Sequence, residues 1–298
     1  MSDDATTATT VATQGVHPLG PMTHAQHTAF EAKRLTSPEE AIAASIAAFE
    51  HRYHYRIVVA IEGRVRFLSH LETVDTLLGA LRRSGVKLAL SPGMKPKPRI
   101  KMAMPRPVAT EAWSDLVEVE LHEAIDADQF ALQLSEVLPK GLVLQRVERI
   151  EGIYTSAASR VAGATWRWRF AEDVTTGELE EAVARLTASD ELLVDRTSPN
   201  KPTRVVDVRR FVGDMAVVSE DAGVPALRAF VRLTEMGSAK PEEVVRALGA
   251  LVGRTFTPTR TVRESIAIAD PGTGGQIAEP ALVGADVPDG PAKPWGAC

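Results

Sequence analysis

Lys95, Lys97, Arg99 and Lys101 stand at steps of two along the chain. In an extended backbone such residues share one face, their side chains about 6–7 Å apart. That interval matches successive phosphates along a single nucleic-acid strand. Pro96 and Pro98 alternate with them, stiffening the run and lowering the entropy lost when it orders on a ligand. The wider segment is also one-signed. No acidic residue lies between Asp75 and Glu111, whereas Arg82, Arg83, Lys87 and Arg106 add to the four cations already named. Binding built this way falls with salt and carries little base information. The aromatic platforms that stack on bases are missing from the segment. The competing reading is a solvated basic loop balanced by acid elsewhere.

His70 is the one titratable residue beside this segment that could move a proton or hold a phosphate. It follows Ser69, and Ser69-His70-Leu71-Glu72 is a capping box, so helix capping alone accounts for Ser69. Arg82 and Arg83 close the same helix, where cations suit the dipole. His51 and His54 lack a third ligand, and His17, His24 and His27 fall in a segment without periodicity. Trp166 and Trp168 share a face at period two, which favours sheet packing over base stacking. The single cysteine, Cys298, excludes an intrachain disulfide and a cysteine-built metal site. No phosphate-cradling glycine loop, zincin helix or serine elbow is present. No cofactor and no metal is expected.

The elements that must position these residues follow from periodicity. Ser37-Pro38-Glu39-Glu40 starts a helix, His54 to Ile61 reads as a strand, and Leu71, Val74, Leu77, Leu78 and Leu81 mark a helix ended by Gly85. Ile100 to Met104 is a short strand. Leu116 to Leu121 is a strand with Glu118 and Glu120 on a wet face, and Asp126 opens the next helix. After a final strand from Leu142, the order β-α-β-β-α-β recurs loosely from Thr165 to Ala267, with an extra strand or ribbon around the turn Pro199-Asn200-Lys201-Pro202. The expectation is an α+β protein of two ferredoxin-like halves in tandem. Residues 1–35 form a disordered arm, 36–155 and 160–268 the halves, and 269–298 a disordered tail.

Composition adds limits. Of 298 residues, 44% are apolar and 24% charged, enough to bury a core without staples. The net charge of −5 means that any affinity for nucleic acid must come from a patch. No apolar run is long enough to span a membrane, and no leader is apparent, so a cytoplasmic location is expected.

The runs Arg66-Phe67-Leu68-Ser69-His70-Leu71-Glu72, Ala80-Leu81-Arg82-Arg83-Ser84-Gly85 and Ser91-Pro92-Gly93-Met94-Lys95-Pro96-Lys97-Pro98-Arg99-Ile100 resemble the radical-SAM-linked domain of unknown function 2344. So do Arg204-Val205-Val206-Asp207-Val208 and Gly237-Ser238-Ala239-Lys240-Pro241-Glu242-Glu243-Val244, giving coverage of roughly residues 53–260. The resemblance implies neighbourhood with radical-SAM enzymes or RNA-processing genes and no settled activity. The three-cysteine cluster motif of a radical-SAM enzyme is absent. Met94 stands where the family has Phe, and Lys97 where it has His between the later prolines. The leading expectation is an accessory protein that binds RNA or another polyanion, probed by His70, Arg82, Arg83, Lys95, Lys97, Arg99 and Lys101. The alternatives are a docking partner of a radical-SAM or RNA-maturation enzyme, and a metal-free RNA-cleaving enzyme using His70.

Overall fold

The computed structural model describes residues 52–92, 94–220 and 223–269. The expected helix at 37–49, the arm and tail, and His17, His24, His27 and His51 lie outside the described residues. What is described is a mixed α+β fold built on one mainly antiparallel sheet.

The first half runs β1 (Tyr53–Ile61), α1 (His70–Arg83), β2 (Ile100–Met102), β3 (Thr110–Leu121), α2 (Ala127–Ser135) and β4 (Leu142–Ile150). The second runs β5 (Val161–Arg169), α3 (Thr176–Ala188), β6 (Leu193–Ser198), β7 (Lys201–Asp207), β8 (Val212–Ser219), β9 (Pro225–Arg232), α4 (Pro241–Leu251) and β10 (Arg260–Ile268). The sheet order is β4-β1-β3-β10-β5-β9-β8, with β2 added to the edge of β3. The strands β6 and β7 form a separate two-stranded ribbon.

The capping boxes read from the sequence are present. Ser69 Oγ accepts from the Glu72 amide at 3.3 Å while Glu72 accepts from the Ser69 amide at 2.8 Å. Thr175 and Glu178 do the same for α3. The α1 helix buries Thr73, Leu77, Ala80 and Leu81, one stripe at helical spacing, and Gly85 follows its end at φ 83°. Tyr55, Ile57, Val117, Val119, Phe130 and Leu134 pack with it into one core. Trp166, Trp168, Phe170, Leu179, Leu227 and Leu248 belong to a second core. Each such burial contributes about 1.5–3 kcal/mol.

Three details depart from the periodicity. The β3 strand begins at Thr110, six residues before Leu116, because a register shift between Val59 and Ile61 interrupts the alternation there. The β8 strand was not legible: Gly213 and Asp214 sit in a shift between Val212 and Met215. Glu118 and Glu120 are not on a wet face but are 4% and 8% exposed. Arginines and the segment between the halves cover them. Glu118 accepts from Arg56, from the hydroxyls of Tyr154 and Ser156 and from the amide of Ala157. Tyr154 also stacks on His54 at 3.8 Å.

The halves are joined within the sheet. β10 pairs with β3 in parallel through Thr261–Thr110, Val262–Glu111 and Arg263–Ala112. Beside this junction Arg263 clasps Asp115, and Arg66 and Arg260 clasp Glu111.

Candidate functional site

The basic segment leaves the edge of β3 and returns to it. Lys87 and Ala89 pair backbone groups with His122 and Glu120, and Arg99 pairs with both Ala89 and Glu120. Between them the chain makes an excursion closed by a bridge between Leu90 and Pro98. Ser91 tightens the neck: its amide donates to the Lys97 carbonyl at 2.8 Å, and its Oγ accepts from the Lys97 amide at 3.0 Å. Two cross-neck bonds and three prolines hold the loop as a projection. Met94 is wholly exposed at its tip, and Lys95 and Lys97 are exposed on either side of Pro96.

The seven residues singled out from the sequence divide. Lys95, Lys97 and Lys101 are exposed and make no ion pair among the described residues. Lys101 lies opposite Glu118 in the β2–β3 register, but that carboxylate is already saturated by its own donors. Arg82 is likewise exposed and unpaired among the described residues, at the end of α1 from which the chain enters the loop. Arg83 donates to the Val137 carbonyl at 3.0 Å and so serves the C-terminal end of α2. Arg99 is bound to Glu120 at 2.7 Å, a carboxylate it shares with Arg52. Two other cations of the segment are occupied: Lys87 pairs with Glu123, and Arg106 is 3% exposed.

His70 does not line the loop. It opens α1, whereas Arg82 closes it, which at ~1.5 Å per residue sets them about 18 Å apart. Its neighbours are Arg106, Asp115 and Arg263, beside the β3–β10 junction. Arg106 donates to the carbonyls of Arg66, Leu68, Pro107 and Thr110 and to Thr73 Oγ1. It thereby ties the β2–β3 loop to the turn before α1. Burial holds the His70 imidazole below its ordinary value, Arg263 and Arg106 push the same way, and Asp115 opposes them. Its Nδ1 is buried without a hydrogen-bond partner among the described residues. A histidine kept neutral beside two arginines and one aspartate is suited to packing. No carboxylate or hydroxyl that could orient it as a base is bonded to it among the described residues. No group of three His, Cys, Asp or Glu there could hold a metal ion.

The sequence reading missed this buried cluster. The available signal was Asp115, which shares parity with Val117, Val119 and Leu121. A carboxylate on the core side of a strand requires a buried cation.

These features sit within a known family. The model of an uncharacterized protein family conserved in bacteria, DUF2344, matches residues 54–246. The chain belongs to this family. The family span covers β1 through most of α4, including the cation loop, the ribbon and the His70 corner. Within that span Asp207 accepts from the amides of Leu192 and Arg209, and Glu243 binds Arg196. No curated protein matches the sequence. Among solved structures, a chain of a Cbf5-Nop10-Gar1 complex is similar at 10% identity, over 71% of this chain and 48% of that one, with a TM-score of 0.40. The present chain thus spans about half the length of that neighbour. A provisional glycine cleavage system transcriptional repressor is similar at 9% identity, over 72% and 99% of the two chains, with a TM-score of 0.21. Neither likeness bears on function. No helix among the described residues is long and apolar enough to cross a membrane.

Proposed function

We propose that this DUF2344 chain is an accessory protein that binds RNA or a comparable polyanion through the 91–97 loop, in the cytoplasm and in connection with RNA processing or modification. The observation that carries the reading is the stapled neck at Ser91 and Lys97. It presents Lys95 and Lys97 to solvent with no carboxylate of the described chain against them, and Lys101 and Arg82 extend the charge from the adjoining β2 and α1. Arg99 contributes less, because Glu120 already holds it. His70 takes no part at this end. The strand order supports reading each half as ferredoxin-like: β4-β1-β3-β2 in the first and β10-β5-β9-β8 in the second are the same arrangement.

Filter binding of unstructured RNA at two salt concentrations tests the reading. Loss of Lys95, Lys97 and Lys101 to Ala should weaken binding and flatten its salt dependence by about 2, at ~0.7 per cation on a single strand. Unchanged affinity would overturn it.

The wholly exposed Met94 favours one second reading, a loop that inserts into a partner protein such as a radical-SAM or RNA-maturation enzyme. Co-purification that survives nuclease treatment and is lost with Met94→Asp would support that reading.

A further inference from the structure

The second half carries a counterpart of the cation loop. In the first half, Ser91-Pro92 is followed by Lys95-Pro96; in the second, Ser198-Pro199 is followed by Lys201-Pro202. Each lies between the first helix of its half and the strand that occupies the fourth place in the order of that half, α1 to β2 and α3 to β8. The second excursion is drawn out into the β6–β7 ribbon, whose turn holds Asn200 at φ 60°.

Both project from the same end of the sheet. β3 is parallel to β10, β10 is antiparallel to β5, and β5 is antiparallel to β9, so β3 and β9 finish at one end. The loop leaves beside the last residues of β3. The ribbon is fixed beside α4, the helix that follows β9. Arg246 donates to the Asp195 carbonyl, and one residue further on Arg196 binds Glu243 in the first turn of α4. The ribbon therefore advances along α4 toward its N-terminus and carries its turn beyond it. Lys201 and Arg204 are exposed near that turn and make no ion pair among the described residues. Asp195, the exposed acid of the ribbon, lies on its middle rung opposite Val205, one rung further from the turn than Arg204.

We infer that the loop and the ribbon are two arms of one binding site for an extended single strand of RNA. This rests on the polyanion reading of the loop and adds the ligand's form and its second contact. The strands into which the loop and the ribbon lead, β2 and β8, lie in lanes three strands apart, about 15 Å at ~4.8 Å per strand, which sets the scale of the gap to be spanned. A single strand at ~6–7 Å per phosphate crosses that gap in two or three nucleotides. A duplex would have to meet two projecting arms with a stiff cylinder; a flexible strand bends to both. Two weak contacts on one strand then reinforce each other through effective concentration.

Fluorescence anisotropy with labelled oligouridylates of about 4 and about 12 nucleotides tests this. The proteins are wild type, Lys95→Ala with Lys97→Ala, and Lys201→Ala with Arg204→Ala, each checked for an unchanged melting temperature. Each variant should bind the longer strand about tenfold or more weakly, with its salt slope reduced by about 1.4. The advantage of the longer strand over the shorter should shrink in both. If the ribbon variant binds the longer strand as wild type does while the loop variant is weakened, the two-armed site is overturned and the loop reading stands. If neither variant is weakened, or wild type binds neither strand, both readings fall.

Discussion

Arg263 donates from Nε and Nη2 to the two carboxylate oxygens of Asp115, each at 2.8 Å, and both side chains are wholly buried. The remaining donor, Nη1, reaches the Pro105 carbonyl at 2.8 Å, and Nη2 also meets Met104. The pair fastens the β10 strand to β3 where only three residue pairs of parallel ladder join the halves. Its guanidinium also lies 5.8 Å from the Trp166 ring, in contact with the second core. Together with Arg260 on Glu111, the pair fastens the two halves electrostatically, placed among the charges around His70.

Removing one member leaves the other buried without its partner. Arg263→Ala and Asp115→Ala should each cost about 3–5 kcal/mol. Equilibrium urea unfolding measures this. The double replacement Asp115→Leu with Arg263→Met should cost less than either single change, because no charge is then stranded.

His70 gives a pH dependence with a definite sign. Its folded value lies below the ordinary 6.5, through burial first and then Arg263 and Arg106, against the opposing pull of Asp115. The unfolded chain therefore takes up the proton first as pH falls. The contribution is complete above 6.5, declines as pH drops through it, and levels off below the folded value. His70→Gln should reduce the loss of melting temperature between pH 7 and pH 5 while leaving RNA affinity at pH 7 unchanged. A fall in affinity would return His70 to the binding site.

Glu120 restrains Arg99 beside the loop. Glu120→Gln keeps the shape and removes the charge, so Arg99 becomes available to a phosphate. Affinity for single-stranded RNA should rise severalfold at low salt, and the salt slope should steepen by about 0.7. Titrations at several salt concentrations read both.

Tyr154 is held neutral far into alkali. Burial first, aided by Glu118, raises its phenol to about 12. In an ultraviolet pH titration Tyr154→Phe should abolish an absorbance step near 12 rather than one near the ordinary phenol value of 10. Loss of an early step instead would place the hydroxyl away from Glu118.

What could be read from sequence was local. Ser69 and Glu72, or Thr175 and Glu178, announce a helix start because the cap bonds span only three residues. Trp166 and Trp168 announce a buried face because period two is a property of one strand. The cation loop was legible for the same reason, since its prolines and charges are consecutive. Long-range pairing was not. Nothing in the order of Lys95, Arg99 and Arg106 says that the first remains exposed, the second meets Glu120 and the third turns inward to four carbonyls. Glu118 and Glu120 looked wet because alternation reports which face a residue takes, not what later covers that face. The placement of His70 away from the loop follows from the length of α1, and no spacing along the chain ties that length to the loop's position.

The most direct measurement is photocrosslinking of the full chain to a single-stranded RNA carrying 4-thiouridine, with the crosslinked peptides mapped by mass spectrometry. Crosslinks should concentrate on residues 94–101, with a second group at 200–204. Crosslinks confined to the turn before α1 and the β2–β3 loop, around His70 and Val108, would contradict the account.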